Sequence, residues 1–212
     1  DLDGNVVDTW HLQDFHMPAE GPVATLFRDY SHANAIWLDE DGNALLSFRH
    51  LSSIMSVVAD PGSPDFGLVN WVLGGDPLDA RLPADMSLTA VADLSPSFVR
   101  QHNPQILPDG RLSLFDNRLD ISESSRIVIL DIMPEYGVAV IEEAYTLPDH
   151  CNFQGAAIPM EDGSWVATCA PYRRAFQFDA GATEPRWSLT TECATAVSPY
   201  VPRMQPFELP ER

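Results

Sequence analysis

Ser31-His32-Ala33-Asn34-Ala35-Ile36 heads the stretch that decides the fold, Tyr30 to Gly75. The apolar run reaches Leu38, and an acidic turn, Asp39-Glu40-Asp41-Gly42-Asn43, reverses the chain. A second run, Ala44-Leu45-Leu46-Ser47-Phe48, ends on Arg49-His50. Ile54 to Val58 and Leu68 to Leu73 follow, closed by Gly74-Gly75. Short runs rich in β-branched and aromatic residues, bounded by turn residues, read as strands. Asp-Gly supplies the positive φ of a tight hairpin. The stretch is therefore one antiparallel unit of short strands, with polar groups gathered at one end of its first hairpin.

The plan recurs twice. The second unit opens at Phe98-Val99-Arg100-Gln101-His102-Asn103 and turns at Pro108-Asp109-Gly110. Its later strands are Arg111 to Phe115, Arg126 to Asp131 and Val138 to Tyr145. The third opens at His150-Cys151-Asn152-Phe153-Gln154-Gly155 and turns at Glu161-Asp162-Gly163. It continues through Trp165 to Cys169, Ala175 to Asp179 and Arg186 to Glu192. Four strands in each repeat of roughly 50 residues is the period of propeller blades. The expectation is an all-β chain, a β-propeller of four-stranded blades, with about three blades at 30–75, 98–145 and 150–192 of a single region, 1–212. Propellers typically have about 4 to 8 blades, so further blades are expected from missing sequence, a partner chain or a second copy. Val6 to Trp10 reads as a leading strand and 13–29 as a loop. The span 76–97, with three prolines, reads as a long excursion, and Ser198 to Leu209 as an edge strand or strap.

Propeller geometry gives the polar residues one address. The first strand of each blade lines the channel and the second returns beside it, so the head of one and the end of the other share a face. That face receives His32, Asn34, Arg49 and His50, then His102, Asn103, Asn117 and Arg118, then His150, Asn152, Gln154 and Cys169. Arg offers a fork of donors to a sulfate or phosphate, and His serves as nucleophile or general acid. A lone His at a strand end is ordinarily a surface or capping residue; recurrence at equivalent positions sets His32 and His102 apart. His11 and His16 recur in no pattern and read as surface. Arg126, after Ser124-Ser125, also suits a simple pairing with a neighbouring acid.

Composition narrows the function. There are 31 acidic residues against 12 basic ones, all of the latter Arg, for a net charge of −19. Such a chain is unsuited to nucleic acid or an anionic membrane surface. No apolar run approaches the ~18 residues of a membrane span. No signal peptide is visible, and a chain opening on Asp1 suggests that processing or a boundary has removed the start. Cys151, Cys169 and Cys193 form no C-x-x-C pair, and the twelfth positions from Asp1 and Asp39 are Leu12 and His50, not the Glu of a calcium loop. No metal or cofactor is expected. The clustered cysteines suit one disulfide in an oxidising compartment with one cysteine left over, or else three buried thiols. If a bridge forms, blade geometry favours Cys151 with Cys169, since both sit at one end of adjacent strands.

Several motifs resemble the arylsulfate sulfotransferase family. They are His32-Ala-Asn34, Asp-Gly-Asn, Leu46-Ser47-Phe48-Arg49-His50 and Trp71-Val72-Leu73-Gly74-Gly75. Arg100-Gln101-His102, Leu114-Phe115-Asp116-Asn117 and Ser125-Arg126 follow in order. The resemblance implies a six-bladed bacterial propeller, periplasmic or exported, of which this chain carries about half. It implies transfer of a sulfuryl group from an aryl sulfate to a phenol through a sulfo-histidine, without a nucleotide donor. By motif, His32 and His102 match funnel histidines and share the catalytic role with Arg118. Asn117, Asn34, His50, Arg49 and Arg126 are the expected substrate contacts. The family's late His, before a Tyr-Arg pair, finds only Ser198-Pro199-Tyr200-Val201 here. The competing reading is a non-catalytic propeller that serves as a binding or assembly scaffold.

Overall fold

The computed structural model describes residues 5–15, 29–75, 82 and 84–192. Three sheets, each built on four antiparallel strands, follow one another along the chain. The first holds β1 (Ala33–Leu38), β2 (Asn43–Phe48), β3 (Ser53–Val58) and β4 (Val69–Gly74) in sequence order. The second holds β6 (His102–Ile106), β7 (Leu112–Asp116), β8 (Arg126–Met133) and β9 (Val138–Thr146). The third holds β10 (Ala156–Pro159), β11 (Trp165–Cys169), β12 (Arg174–Phe178) and β13 (Trp187–Thr190). These are propeller blades.

The inner hairpins share one device. Asp39 Oδ1 accepts from the amides of Asp41 and Asn43 at 3.0 and 2.8 Å. Asp109 Oδ1 accepts from Arg111 N at 3.1 Å, and Asp162 Oδ1 from Ser164 N at 3.0 Å. Gly42, Gly110 and Gly163 follow with φ of 80°, 88° and 81°. An Asp side chain that bonds its own turn backbone and a residue at ease with positive φ make the reversal local. The Asp39 carboxylate is used by the turn, as the hairpin reading expects.

Alternation along the strands builds the core. On β8, Val128 and Leu130 face the first blade, meeting Leu45, Ile54 and Leu73 beside Leu112 and Leu114. Ile127 and Ile129 face the third, meeting Trp165, Ala167, Phe176 and Phe178. Successive side chains point to opposite faces of a sheet, so the middle blade is apolar on both. The first strands lie side by side: Asn34 Nδ2 donates to Gln101 O at 2.7 Å, and Gln105 Nε2 to Ala157 O at 2.9 Å. Gln101 is fully buried, and its Nε2 donates to Ser47 Oγ and Ser53 O at 3.0 and 2.9 Å, tying the second blade to the first.

Two expectations are corrected. Val6 to Trp10 is not a strand: Val6 and Val7 are exposed, while the Trp10 indole donates to Gly67 O at 3.0 Å and packs on the outer face of the first blade, followed by one helical turn, Leu12–Phe15. The excursion at 76–97 also contains a strand, β5 (Ser87–Ala90), which pairs parallel with β9 and widens the second sheet to five. Four residues among prolines gave too short an alternation to read. His16, Cys193, the segment Ser198 to Tyr200 and the expected tail strand lie outside the described residues. Among the described residues no helix is long and apolar enough to cross a membrane.

Blade contact leaves no room at Gly75: a Cβ there would stand 2.0 Å from Phe98 O and 2.7 Å from its ring. Gly110, in open space, resists a side chain only through its positive φ. Gly75→Ala is expected to lower stability by about 3 kcal/mol or more, as overpacking against backbone does, and Gly110→Ala by about 1–2 kcal/mol. Urea midpoints measure both; equal losses would show that blade contact at Gly75 is not tight.

Candidate functional site

The expected face exists, and its corners share a backbone geometry. His32, Asn103 and Gln154, at the heads of the first strands, have φ of 48°, 49° and 54°. Ser52, Arg118 and Arg173, where the second strands turn into the third, have φ of 43°, 63° and 57°. Non-glycine residues in the left-handed region carry about 1–2 kcal/mol of strain each. In the first blade the two corners are laced together: Arg49 N donates to His32 O at 3.0 Å and His50 N to Ser31 O at 3.2 Å.

Among the described histidines His102 is the buried one, 9% exposed. Its Nδ1 lies 2.6 Å from Asn117 Oδ1 and 3.2 Å from Arg100 O. The Asn117 amide is oriented by the next blade, since its Nδ2 donates to Cys151 O at 2.5 Å and to Gln154 O at 2.8 Å. Both groups at Nδ1 are thus acceptors, so Nδ1 carries the proton and Nε2 keeps its lone pair. Among the described residues nothing bonds Nε2. Burial lowers the His102 pKa to about 4, with Arg49 and His32 adding to the effect, while the bonds to Asn117 and Arg100 O oppose it. The imidazole is neutral at pH 7.

Around it stand other expected residues. Arg49 reaches from the first blade to the third, its Nη2 donating to Asn152 O at 3.0 Å. The rings of His32 and His50 meet at a tilt of 41°, with centroids 4.5 Å apart. His32 Nδ1 meets Asp29 Oδ2, and His50 Nδ1 lies 2.8 Å from Asp29 O. Asn34 sits at the blade junction, its amide donated to Gln101 O.

Arg118 and Arg126 are engaged by carboxylates. Arg118 holds Glu123 with both ends of its fork, Nε at 3.1 Å and Nη2 at 2.7 Å, and turns Nη1 to Ser97 and Asp116. Burial disfavours its charge, but Glu123 and Asp116 outweigh that and push its pKa up. Arg126 donates to Asp116 Oδ2 at 3.0 Å and to the carbonyls of Ser95 and Ser97. Both serve the buried Asp116 carboxylate, which also accepts Val99 N at 2.9 Å. They brace the blade. His150 Nδ1 lies 2.7 Å from Glu123 O, and His11 is exposed. Cys151 and Cys169 form a disulfide with a Cα separation of 5.5 Å. Motif reading passed over Asp29, three residues before His32, and gave no role to Ser125 within its Ser125-Arg126 motif, although the Ser125 hydroxyl donates to Asn117 O at 2.9 Å and accepts Cys151 N at 2.7 Å. A short polar residue at a strand junction was the available signal for each.

Four-stranded antiparallel units following one another, with a neutral, oriented histidine at the head of the second, define a protein of the β-propeller class. The arylsulfotransferase (ASST) family model matches residues 1–172, and the chain belongs to that family. No curated protein matches it. Among solved structures it is similar to a putative 6-phosphogluconolactonase from Bacteroides fragilis NCTC 9343, at 11% identity and TM-score 0.50, over 77% of this chain and 40% of that one. It also matches the periplasmic gluconolactonase of Pseudomonas aeruginosa at 11% identity and TM-score 0.48, over 81% of this chain and 42% of that one. Virginiamycin B lyase from Staphylococcus aureus matches at 13% and 0.44, over 77% and 43%. The chain spans about two fifths of the length of these structures, and the first likeness speaks to fold alone.

The buried imidazole links stability to acid. The unfolded chain binds a proton near pH 6.5 and the folded one only near 4, so between these values the unfolded state holds more protons. The contribution of His102 is full above about pH 6.5 and falls by about 3 kcal/mol as pH drops to 4. Denaturant unfolding of the native chain and of His102→Gln across pH 4–7 measures it. Parallel pH profiles would show that His102 is not buried as a neutral group.

Proposed function

We propose that this chain is part of an enzyme that moves a sulfuryl group from an aryl sulfate to a phenolic acceptor through His102, in a periplasmic or extracellular setting. The observation that carries this reading is the bond from His102 Nδ1 to an Asn117 amide fixed by two carbonyls. It leaves Nε2 as a nucleophile needing no deprotonation at pH 7. In the first half-reaction Nε2 attacks sulfur, the N–S bond forms, and the aryl S–O bond breaks. The departing phenolate takes the electron pair and is protonated by water. In the second, an acceptor phenol gives its proton to solvent, its oxygen attacks sulfur, and the S–N bond returns its pair to Nε2. Arg49, beside His102 and bridging to Asn152 O, is the cation placed to stabilise charge on the transferring oxygens. The disulfide fits an oxidising compartment.

His102→Ala is expected to abolish release of a coloured phenol from a chromogenic aryl sulfate, a loss on the order of 10³-fold or more, with the fold intact by circular dichroism. Asn117→Ala should slow it by about 10²–10⁴-fold, since the imidazole loses its tautomer. His11→Ala should leave the rate unchanged. Undiminished turnover by His102→Ala would overturn the histidine route. Aryl sulfate binding without turnover by the native protein would favour the scaffold reading instead.

The ring is proposed to be completed by further blades. β1 leaves Ile36 68% and Leu38 65% exposed, with Trp37 beside them, and such apolar strands call for cover. Small-angle scattering of this chain is expected to show association into larger closed particles. A stable, monodisperse monomer would refute this.

A further inference from the structure

We infer that Asp29, His32 and His50 form a binding site for a divalent ion of the zinc type at the rim of the mouth. One ligand atom from each of the three lies within 4.8 Å of the other two. Zn–N and Zn–O bonds of about 2.0–2.2 Å bring three such atoms around one ion with small side-chain rotations. The Asp29 side chain, 59% exposed, makes the largest of these.

Three features make this more than proximity. The two histidines are rigidly related, because the laced corner bonds Arg49 N to His32 O and His50 N to Ser31 O, and Asp29 Oδ1 accepts His32 N at 3.0 Å. His50 donates Nδ1–H to the carbonyl oxygen of Asp29 at 2.8 Å. A metal-bound imidazole commonly makes this bond through its second nitrogen, which fixes the tautomer and leaves Nε2 basic. The whole chain, at −19, attracts cations to an exposed carboxylate and two imidazoles.

Two imidazoles and one carboxylate are borderline donors, suited to Zn²⁺ or Co²⁺ rather than to Mg²⁺ or Ca²⁺, which prefer all-oxygen shells. Three protein ligands leave a fourth position open, as in catalytic zinc sites. The ion would take up the pair formed by His32 Nδ1 and Asp29 Oδ2. Its charge would add positive potential at the rim, while Arg118 and Arg126 are held by carboxylates. Binding itself is independent of the sulfuryl-transfer reading.

The test is titration of the native chain with Zn²⁺ by calorimetry, with Co²⁺ absorption as the spectroscopic probe and circular dichroism to check folding. One Zn²⁺ per chain is expected, together with visible Co²⁺ bands of a site containing nitrogen donors. His32→Ala, His50→Gln and Asp29→Asn should each weaken Zn²⁺ at least 10-fold, His150→Ala should not, and Ca²⁺ should not compete. Equal affinity in a folded His32→Ala/His50→Gln double variant, or several weak sites that Ca²⁺ displaces, would overturn the proposal whether or not the protein transfers sulfuryl groups.

Discussion

The side-chain amide of Asn117 decides what its neighbours can be. It leaves the end of β7 and crosses to the third blade, where two carbonyls, of Cys151 and Gln154, take its hydrogens. Its oxygen then has one direction to face, toward His102. Were the amide reversed, its NH₂ would meet the imidazole and its oxygen two carbonyl oxygens, leaving three buried groups without complements at about 1–3 kcal/mol each. One constraint therefore joins two blades and selects a tautomer. The Cys151 carbonyl is held in turn, because Ser125 Oγ accepts the Cys151 amide and the disulfide anchors that residue to the end of β11. A bond between the loop that leads into β10 and the end of β11 thus helps fix the proton on an imidazole of the second blade.

Asp116, one residue earlier, works toward the opposite end. A fully buried carboxylate requires partners, and it has two backbone amides and two guanidinium groups. Arg118 and Arg126 are set by that need. A chain with no Lys uses Arg here for a geometric reason, since a planar fork satisfies Asp116 and Glu123 at once where an ammonium would act as a point charge.

These two residues show what could be read in advance. The three hairpins were legible because Asp-Gly turns are local, the Asp accepting amides at most four residues on. The blades were legible because strand alternation is local too, and the shared face followed from topology. His32, His50, Arg49, His102 and Asn117 fell together for that reason. What could not be read was long-range pairing. Arg118 is on the expected face, but whether its fork is open depends on how the loop to Glu123 closes, and no spacing rule gives that. β5 was hidden because it pairs parallel with a strand about 50 residues on, and the Trp10 segment because it covers a blade without joining it.

In a strongly acidic chain, distance decides which charges act at a given site. At physiological ionic strength charges beyond about 8 Å are largely screened when both face water. The surface carboxylates responsible for most of the net charge therefore act weakly at the mouth. Groups within a few ångströms, partly shielded from water, act through a lower effective dielectric and dominate. At His102 burial lowers the pKa most, and the charges that act in the same direction are Arg49 and then His32. The same proximity that lowers the proton affinity of Nε2 raises the potential an incoming anion meets. A neutral imidazole and a locally positive potential, which net charge alone would not produce, thus come from one arrangement.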